Sequence, residues 1–421
     1  MYHVRFLKVP YSKCLQHSQK SDSSKRSSTK LYSGKPVTAR KPNDGLKSSS
    51  ASPCRISFVV TLTTDLGESF FYGNATLSVN LIARRQSSSK AIDVTRTNVQ
   101  WKTGMRALPI DLEVSVRQID RIMKNGRMDV RFYVHVAPST DNKYQNGNDI
   151  CAHTTGDPLP ALLPVTSMGF WFSGSEKPCA LKDTIQHAIK YDGANYRYVV
   201  RDIPIGTTTL KLLEETGESI ARHLWDSGIL LCNFLMASKQ NNDVFMRQLT
   251  GSSKQMNVLE LGSGCGTVGL TLSKVFRQSH IVLTDLESAR NVCERNIALN
   301  CTRSGSGANG QIEFSIFNWD SSKNTAEENA KVFDAKWDLV IASDCTYNVD
   351  SFDMLTDVLL RVVSQRTKLL LVHKERHGSE ARVFDLLKEK NKLQSQWRQQ
   401  LEPASARSTA DILVRMGSMN Q

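Results

Sequence analysis

Hydrophobic and polar positions alternate in one way before about residue 140 and in another way after about residue 191. In the first part, β-branched and polar residues alternate at every second position, which predicts strands of a small antiparallel unit. These segments are Arg55–Thr63, Ala75–Ala83, Ile110–Val116 and Met128–Val136. The stretch Ser139–Pro164 then collects Asn, Gly, Asp and Pro, which is typical of a linker or long loop.

The second part has the pattern of an α/β domain. It begins with a predicted hairpin and a helix, at Tyr196–Arg201, Thr208–Leu213 and Gly217–Met236. Five predicted strands then alternate with helices, at Asn257–Leu261, His280–Thr284, Gln311–Phe317, Asp338–Ala342 and Lys368–His373. Ala410–Met416 is a last strand that fits an antiparallel position. Such alternation predicts a mostly parallel sheet with helices on both faces.

These patterns divide the 421 residues into four segments. We predict a disordered, basic, Ser-rich tail at 1–52, a smaller β-rich accessory region at 53–140, a linker at 141–190 and a Rossmann-like α/β domain at 191–421. The chain has no apolar run of the ~18 residues that a membrane-spanning helix needs, so integral membrane proteins are excluded.

The positive charge of the chain is concentrated at its beginning. The net charge is +13, and residues 1–50 contribute +9 of it through 11 Lys and Arg against two acids. The remaining residues are close to neutral. The predicted folded part therefore lacks the dense basic surface that phosphate contacts require, and nucleic acid is not expected as its partner.

The nine cysteines are scattered, with no CxxC pair and no His at zinc-site spacing, so we predict no metal site. Free thiols indicate a reducing compartment, and we expect a protein of the cytoplasm and also of the nucleus.

The strongest chemical motif is a glycine-rich turn between a predicted strand and a helix. Val258–Leu261 leads into Gly262, Gly264 and Gly266, and glycines allow a tight turn and a close approach to a ligand. Asp285 follows at the end of the next strand, 19 residues after Gly266, a distance that suits a ribose diol.

The glycines alone do not separate a dinucleotide from S-adenosylmethionine, because the turn also fits GxGxxG. Glu260 favours the second ligand. Its carboxylate would repel a pyrophosphate, whereas the α-amino group of S-adenosylmethionine is cationic.

Three further patches follow the same order along the chain. Trp225 lies in the helix before the first strand, and Trp319 follows the third strand, where a flat ring can lie against adenine. Ser343, Asp344 and Tyr347 stand at the carboxyl end of the fourth strand, the edge at which doubly wound sheets bind ligands. Trp225 and Trp319 also fit plain core positions, and Asp344 also fits a helix cap.

Together, Trp225-Asp226, VLELGSGCG, TDLE, NWD and ASDCTY resemble the class I seven-strand methyltransferases of family 16, a family that includes protein-lysine methyltransferases. The resemblance covers about residues 195–416. It implies S-adenosylmethionine as cofactor and a methyl-transfer site at Asp344 and Tyr347. It further implies that the cofactor is surrounded by Trp225, Gly262, Asp285, Trp319 and Ser343, and that Glu214 or Glu215 helps to seat it.

The acceptor that the resemblance implies is a lysine of a protein substrate, and we expect a monomeric enzyme. Nucleic-acid amino methyltransferases typically carry two prolines where Cys345 and Thr346 stand, which argues against a base as acceptor. Another protein nitrogen, a nucleic acid or small molecule, and a non-catalytic methyltransferase-like scaffold remain the alternatives.

Overall fold

The structure is a computed structural model. It describes residues 1–13, 37–38, 54–86, 88, 90–123, 129–139, 162–173, 188–216, 220–251, 255–301, 311–374, 382–391, 397–401 and 410–415. The chain divides into two units. The first comprises Tyr2–Cys151 and Leu162–Val200, and the second comprises Met1, Ala152–Ala161 and Arg201–Gln421.

The first unit is built almost entirely of strands. They are β1 Tyr2–Lys13, β2 Val37–Thr38, β3 Cys54–Thr63, β4 Ala75–Arg85, β5 Ala91–Trp101, β6 Leu108–Val114, β7 Val130–Pro138, β8 Leu162–Leu163, β9 Val165–Ser167, β10 Phe170–Ser173 and β11 Ala188–Tyr191, with one short helix, α1 Val116–Ile122. One sheet has the order β2-β6-β3-β1-β8, and a second joins β11, β10, β7 and β9 with the β4–β5 pair against β7. The four strands predicted here are present as β3, β4, β6 and β7.

The core of the first unit follows from the alternation that predicted its strands. The apolar residues at alternate positions of β3 and β4, including Phe58 and Leu77, are all buried and share one face of each strand. Trp101 of β5 is fully buried, and its indole N–H donates to the carbonyl of Phe71 at 3.1 Å. The unit thus has an apolar core of its own.

Residues 2–13 correct the prediction of a disordered tail, since they form β1 and pair antiparallel with β3. Val4 and Phe6 are buried, and the ring of Phe6 meets that of Phe58 edge to face at 5.6 Å. The high basic and serine content of the whole segment hid this short alternating stretch. The rest of the predicted tail, apart from β2, lies outside the described residues.

The prediction of a linker at 141–190 is wrong for two described stretches, which contain β8 to β11. Leu163, Val165, Phe170 and Phe172 are all buried there. Pro164 and Gly169 interrupt this apolar run, so each strand is only two to four residues long and leaves a weak periodic signal.

The second unit alternates strands and helices. In chain order it contains β12 Tyr198–Ile205, which crosses the boundary at residue 201, β13 Thr208–Glu215, α2 Asp226–Asn241, α3 Val244–Thr250, β14 Asn257–Leu261, α4 Thr267–Val275, β15 His280–Asp285, α5 Glu287–Asn300, β16 Ile312–Ile316, α6 Ala326–Phe333, β17 Leu339–Ser343, α7 Phe352–Val362, β18 Lys368–His373, α8 Arg382–Asn391, β19 Trp397–Leu401 and β20 Ala410–Arg415. Helix α2 begins nine residues later than predicted, after a short 3₁₀ turn at Ile220–Arg222.

The main sheet of the second unit has the order β16-β15-β14-β17-β18-β20-β19. Its first five strands are parallel, and β20 runs antiparallel to β18 and β19. Leu259 and Leu261 of β14 pack into the cluster formed with α6, α7 and α8, while Glu260 between them lies against Gly269 of α4. Helices therefore cover both faces, which confirms the predicted α/β architecture.

Strand order reverses between β14 and β17, since β15 and β16 lie on one side of β14 and β17 and β18 on the other. In open parallel sheets, the loops that diverge at such a point leave a crevice at the carboxyl ends of the strands. The predicted glycine turn follows β14 and the predicted Asp344 follows β17, so this topology brings both to one crevice.

Candidate active site

The turn after β14 depends on backbone angles that only glycine adopts easily. Gly262, Gly264 and Gly266 have φ angles of +64°, +52° and +76°. A Cβ on Gly262 would stand only 2.6 Å from the Sγ of Cys345. The N–H of Ser263 donates to the carbonyl of Thr284 at 3.0 Å, which ties the turn to the end of β15.

Asp285 fixes the same turn from the neighbouring strand. Its Oδ2 accepts the N–H of Gly264 at 2.8 Å, and its Oδ1 accepts the N–H of Leu286 at 2.7 Å. Burial raises the pKa of this carboxyl, and the two N–H groups oppose the rise. Each oxygen keeps a further lone pair for a ligand hydroxyl.

Glu260 is a buried acid, with 2% of its surface exposed, and its Oε2 has no hydrogen-bond partner among the described residues. Burial raises its pKa to about 8, with an opposing contribution from the backbone N–H of Gly269 and a small raising one from Asp285. An orphaned buried carboxylate oxygen is costly, and a cationic ligand group would relieve that cost.

Asp344 holds an unusual conformation at the end of β17. Its φ of +54° is left-handed, and its backbone N–H donates to the carbonyl of Val372 at 2.8 Å. The side-chain Oδ2 accepts the N–H of Ser227 at 3.2 Å, in the first turn of α2. A carboxylate beside a helix N-terminus is stabilised by the unpaired N–H groups and the helix dipole.

Tyr347 and Trp319 close the site from two loops. Tyr347 is 53% exposed, and partial burial raises the pKa of its phenol, as do the nearby Cys345 and Asp285. The ring of Trp319 reaches within 3.3 Å of the point where a Gly262 Cβ would lie. Asp320 beside it serves a local purpose, because its side chain caps a short 3₁₀ helix.

These groups line one cavity of about 270 Å³. Nine of the ten predicted site residues belong to its wall: Trp225, Glu260, Gly262, Gly264, Asp285, Trp319, Ser343, Asp344 and Tyr347. Gly266 is not part of the wall. A Cβ there would lie 3.0 Å from Cys293 and 3.2 Å from Leu283. Gly266 is needed instead at the N-cap of α4, where the chain enters the helix.

Neither Glu214 nor Glu215, one of which the resemblance implies helps to seat the cofactor, lines the cavity. Glu214 is buried and accepts from both Nε and Nη2 of Arg201, each at 3.2 Å. Glu215 pairs with Arg222.

Sequence reasoning missed several wall residues. They are Ala221, His223, Leu286, Asn318, Cys345, Asn348, Ser351 and Met354, among others. Most are one to three residues from a predicted site residue, so proximity in sequence was the available signal. Among the described residues there is neither a group of three or more metal-ligating side chains nor a helix long and apolar enough to cross a membrane.

Comparison with known proteins agrees with this geometry. Residues 205–390 match the family model described as lysine methyltransferase. The chain is 27% identical over 325 residues to a UPF0665 family protein of Schizosaccharomyces pombe, covering 76% of this chain and 84% of that protein. It is 25% identical over 193 residues to the protein-lysine N-methyltransferase EFM6 of Saccharomyces cerevisiae, covering 42% of this chain and 74% of the relative.

A solved structure, a putative S-adenosylmethionine-dependent methyltransferase from Streptococcus mutans, is similar with a TM-score of 0.37 and 14% identity. That match covers 54% of this chain and 57% of the solved one. The matched family segment contains every predicted site residue from Trp225 to Tyr347. Residues 205–390 of this chain are therefore similar to the lysine methyltransferase family, and this similarity agrees with S-adenosylmethionine, the cofactor predicted from the sequence.

Proposed function

We propose that this protein transfers a methyl group from S-adenosylmethionine to a lysine side chain of a protein substrate. The observation that carries the proposal is the placement of Asp344 and Tyr347 in the cavity that the glycine turn and Asp285 also line. A donor site and an acceptor-binding acid in one cavity are what a direct transfer between two bound partners needs.

The residues of the cavity fit the cofactor. Asp285 suits the ribose hydroxyls, and the orphaned Oε2 of Glu260 suits the cationic amino group. Gly262 and Gly264 leave the turn without side chains beside the cavity. Three acids, Glu260, Asp285 and Asp344, favour a ligand that carries positive charge on nitrogen and sulfur, since such a ligand stabilises their ionised forms.

When bound, the cofactor supplies an already electrophilic methyl group, so the protein need only present the acceptor. A free lysine has a pKa of ~10.4 and is an ammonium at neutral pH. We assign Asp344 to binding and orienting this ammonium, because its carboxylate is fixed by Ser227 and lines the cavity. Correct placement of two reactants supplies roughly 7–11 kcal/mol of barrier reduction.

Tyr347 holds the aliphatic stem of the lysine in this mechanism. The raised pKa of its phenol keeps the hydroxyl protonated at neutral pH, so it is not the base. Because half of this side chain is exposed, the mouth of the cavity is open to water, and the ammonium loses its proton to solvent before the nitrogen attacks.

Asp344→Asn tests the mechanism. Asn tolerates the left-handed angles and its oxygen can still accept the Ser227 N–H, but the charge is lost. We expect methyl transfer to fall at least 100-fold while cofactor affinity changes by less than about three-fold. Asp334→Asn, on an exposed position after α6, is the matched control. Normal turnover of Asp344→Asn would remove Asp344 from the mechanism.

Incubation of cell extract with the protein and labelled cofactor identifies the class of acceptor. The same experiment distinguishes an enzyme from a non-catalytic scaffold. A labelled protein band that is lost with Asp344→Asn supports the enzyme, and mass spectrometry then identifies a lysine or another nitrogen. Cofactor binding without any labelled protein would favour the scaffold. Labelled nucleic acid or small molecules would replace the proposed acceptor class.

We further propose a monomeric protein of the cytoplasm or nucleus. The localisation is supported by the buried free thiols of Cys232, Cys265, Cys293 and Cys345, as expected in a reducing compartment. Microscopy of a tagged full chain and its elution volume with light scattering test the two parts separately.

A further inference from the structure

The wall of the cavity carries an unbalanced set of charges. Its acids are Glu260, Asp285 and Asp344, and no Lys or Arg belongs to the described part of the wall. The proposed cofactor, however, brings a carboxylate of its own on the amino-acid end. A carboxylate placed beside these acids is costly unless a cationic or strongly donating group receives it.

One described wall residue can become a cation. His223 lines the cavity two residues before Trp225, and only 12% of its side chain is exposed. It belongs to a segment that approaches the glycine turn closely, since the carbonyl oxygen of Ala221 lies 3.1 Å from the point where a Cβ on Gly264 would stand. His223 is therefore on the part of the wall next to the turn.

The ring of His223 has an electrostatic partner behind it. Its Nδ1 lies 3.8 Å from Oε1 of Glu214, and Glu214 is itself paired with Arg201. At 3.8 Å this contact is too long for a hydrogen bond. The ring therefore lies between Glu214 and the cavity that it lines.

We propose that His223 binds the carboxylate of the cofactor's amino-acid end through a ring N–H, an inference that rests on the proposed function. The acids of the wall then receive the positive groups of the cofactor, and His223 receives its one negative group. The competing receptor for this carboxylate is the set of backbone N–H groups where α4 begins, at Thr267 and Val268.

The test compares two ligands that differ only in this carboxylate. S-adenosylhomocysteine carries it, and decarboxylated S-adenosylhomocysteine keeps the nucleoside, sulfur and amine without it. Binding of both to the full-length wild type, His223→Gln and His223→Lys is measured by calorimetry at pH 6.5. His280→Gln is the control, because His280 contacts Glu313 and does not line the cavity.

We expect His223→Gln to lower the affinity for S-adenosylhomocysteine at least ten-fold and the affinity for the decarboxylated ligand less than two-fold. His223→Lys should stay within about three-fold of wild type for S-adenosylhomocysteine, since the ammonium also donates to a carboxylate. Unchanged binding of the decarboxylated ligand also shows that the variant is folded.

Equal losses for both ligands would overturn the inference and make His223 a structural residue. If His223→Gln binds both ligands as tightly as wild type, the inference is overturned. The backbone N–H groups at the start of α4 would then bind the carboxylate. If the wild type binds neither ligand, the proposed function itself fails, and that result is distinct from the other two.

Discussion

At the scale of the residue, the site is built on unfavourable backbone angles. Among the described residues, only Asn242 and Asp344 have a positive φ without being glycine. Asn242 ends a helix, where such angles are common, whereas Asp344 stands in the cavity wall. Left-handed angles at a non-glycine residue cost about 1–3 kcal/mol and persist where surrounding contacts impose them. Here those contacts come from Val372 and Ser227.

Gly262→Ala is predicted to damage both stability and cofactor binding. The new Cβ would lie 2.6 Å from the Sγ of Cys345, and the φ of +64° would be strained as well. Gly104→Ala is a matched control for the angle alone, because Gly104 has a φ of +85° and open space around it. We expect Gly104→Ala to cost ~1 kcal/mol without affecting cofactor affinity.

Adding Cys345→Ala to Gly262→Ala should restore most of the lost stability, because it removes the atom that the Cβ meets. Thermal unfolding and calorimetry of the three variants check this. If the double variant is no more stable than Gly262→Ala, the close approach of Cys345 does not set the requirement for glycine.

Glu260 is predicted to reduce the stability of the ligand-free protein as pH rises. Its pKa of about 8 lies above the ordinary value near 4.5. Between pH 4.5 and pH 8, Glu260 therefore keeps its proton in the folded chain but has lost it in the unfolded chain. Stability from this group is thus fully present below pH 4.5 and is lost as pH rises to 8. Glu260→Gln should therefore stabilise the free protein at pH 8.5 by roughly 1–3 kcal/mol and have little effect at pH 5.

The measurement is urea unfolding at both pH values, with Glu327→Gln on the exposed face of α6 as control. The same Glu260→Gln variant should bind the cofactor more weakly, because the cationic amino group loses its carboxylate. A variant that is destabilised at pH 8.5 would show that ionised Glu260 is already satisfied in the free protein.

The residues of the site were predictable where chemistry and position coincide in the sequence. This holds for the glycines after β14 and for the acid at the end of β15. It also holds for Asp344, which precedes Tyr347 by three residues. His223 could not be predicted, because its place in the wall depends on how the segment before α2 folds back against Gly264. The pairing of Glu214 with Arg201 could not be predicted either, because it depends on how β12 and β13 are aligned side by side.

At the scale of the element, strands of the main sheet were predictable because both of their faces are buried. Lys368–His373 was predicted with the bounds that β18 has, and β14 likewise. Strand β5 was missed because only three of its 11 residues are buried. Strand β1 was missed because a basic, serine-rich segment follows it, so composition over a long window outweighed the short alternation at Val4 and Phe6.

Two neighbouring residues of β1 provide a test of its role. Phe6 is buried against Phe58, whereas Leu7 next to it is 51% exposed. Phe6→Ala should cost about 3–5 kcal/mol by leaving a cavity, and Leu7→Ala should be nearly neutral. Urea unfolding followed by far-ultraviolet circular dichroism measures the loss of stability in both variants. Equal, small effects of both substitutions would mean that β1 is not part of the core.

At the scale of the whole molecule, the similarity to the fission yeast relative extends beyond the methyltransferase segment. A match over 76% of the chain cannot fit within residues 201–421, so it includes residues of the first unit. The match to EFM6 spans only 42% of the chain. The similarity to this one relative therefore includes part of the β-rich unit, about which the sequence motifs of the active site carry no information.

The basic segment between β1 and β2 is predicted to dominate binding of the whole molecule to a polyanion. Five Lys and Arg residues, Lys20, Lys25, Arg26, Lys30 and Lys35, lie between β1 and β2 with Asp22 as the one acid. Changing all five to Gln should lower the salt concentration at which the protein leaves a heparin column, because clustered positive charge dominates binding to a polyanion. Methyl transfer to the protein acceptor should stay within two-fold of wild type.

The control removes cations that already face acids in the second unit. Lys211, Lys323 and Lys331 pair with Asp202, Asp320 and Glu313. Their triple change to Gln should shift elution less per charge, since ion-paired and dispersed cations contribute little to a polyanion contact. If the triple variant shifts elution as much per charge as the five-residue variant, the second unit has a basic surface of its own. A nucleic-acid acceptor would then regain support against the protein acceptor proposed for this enzyme.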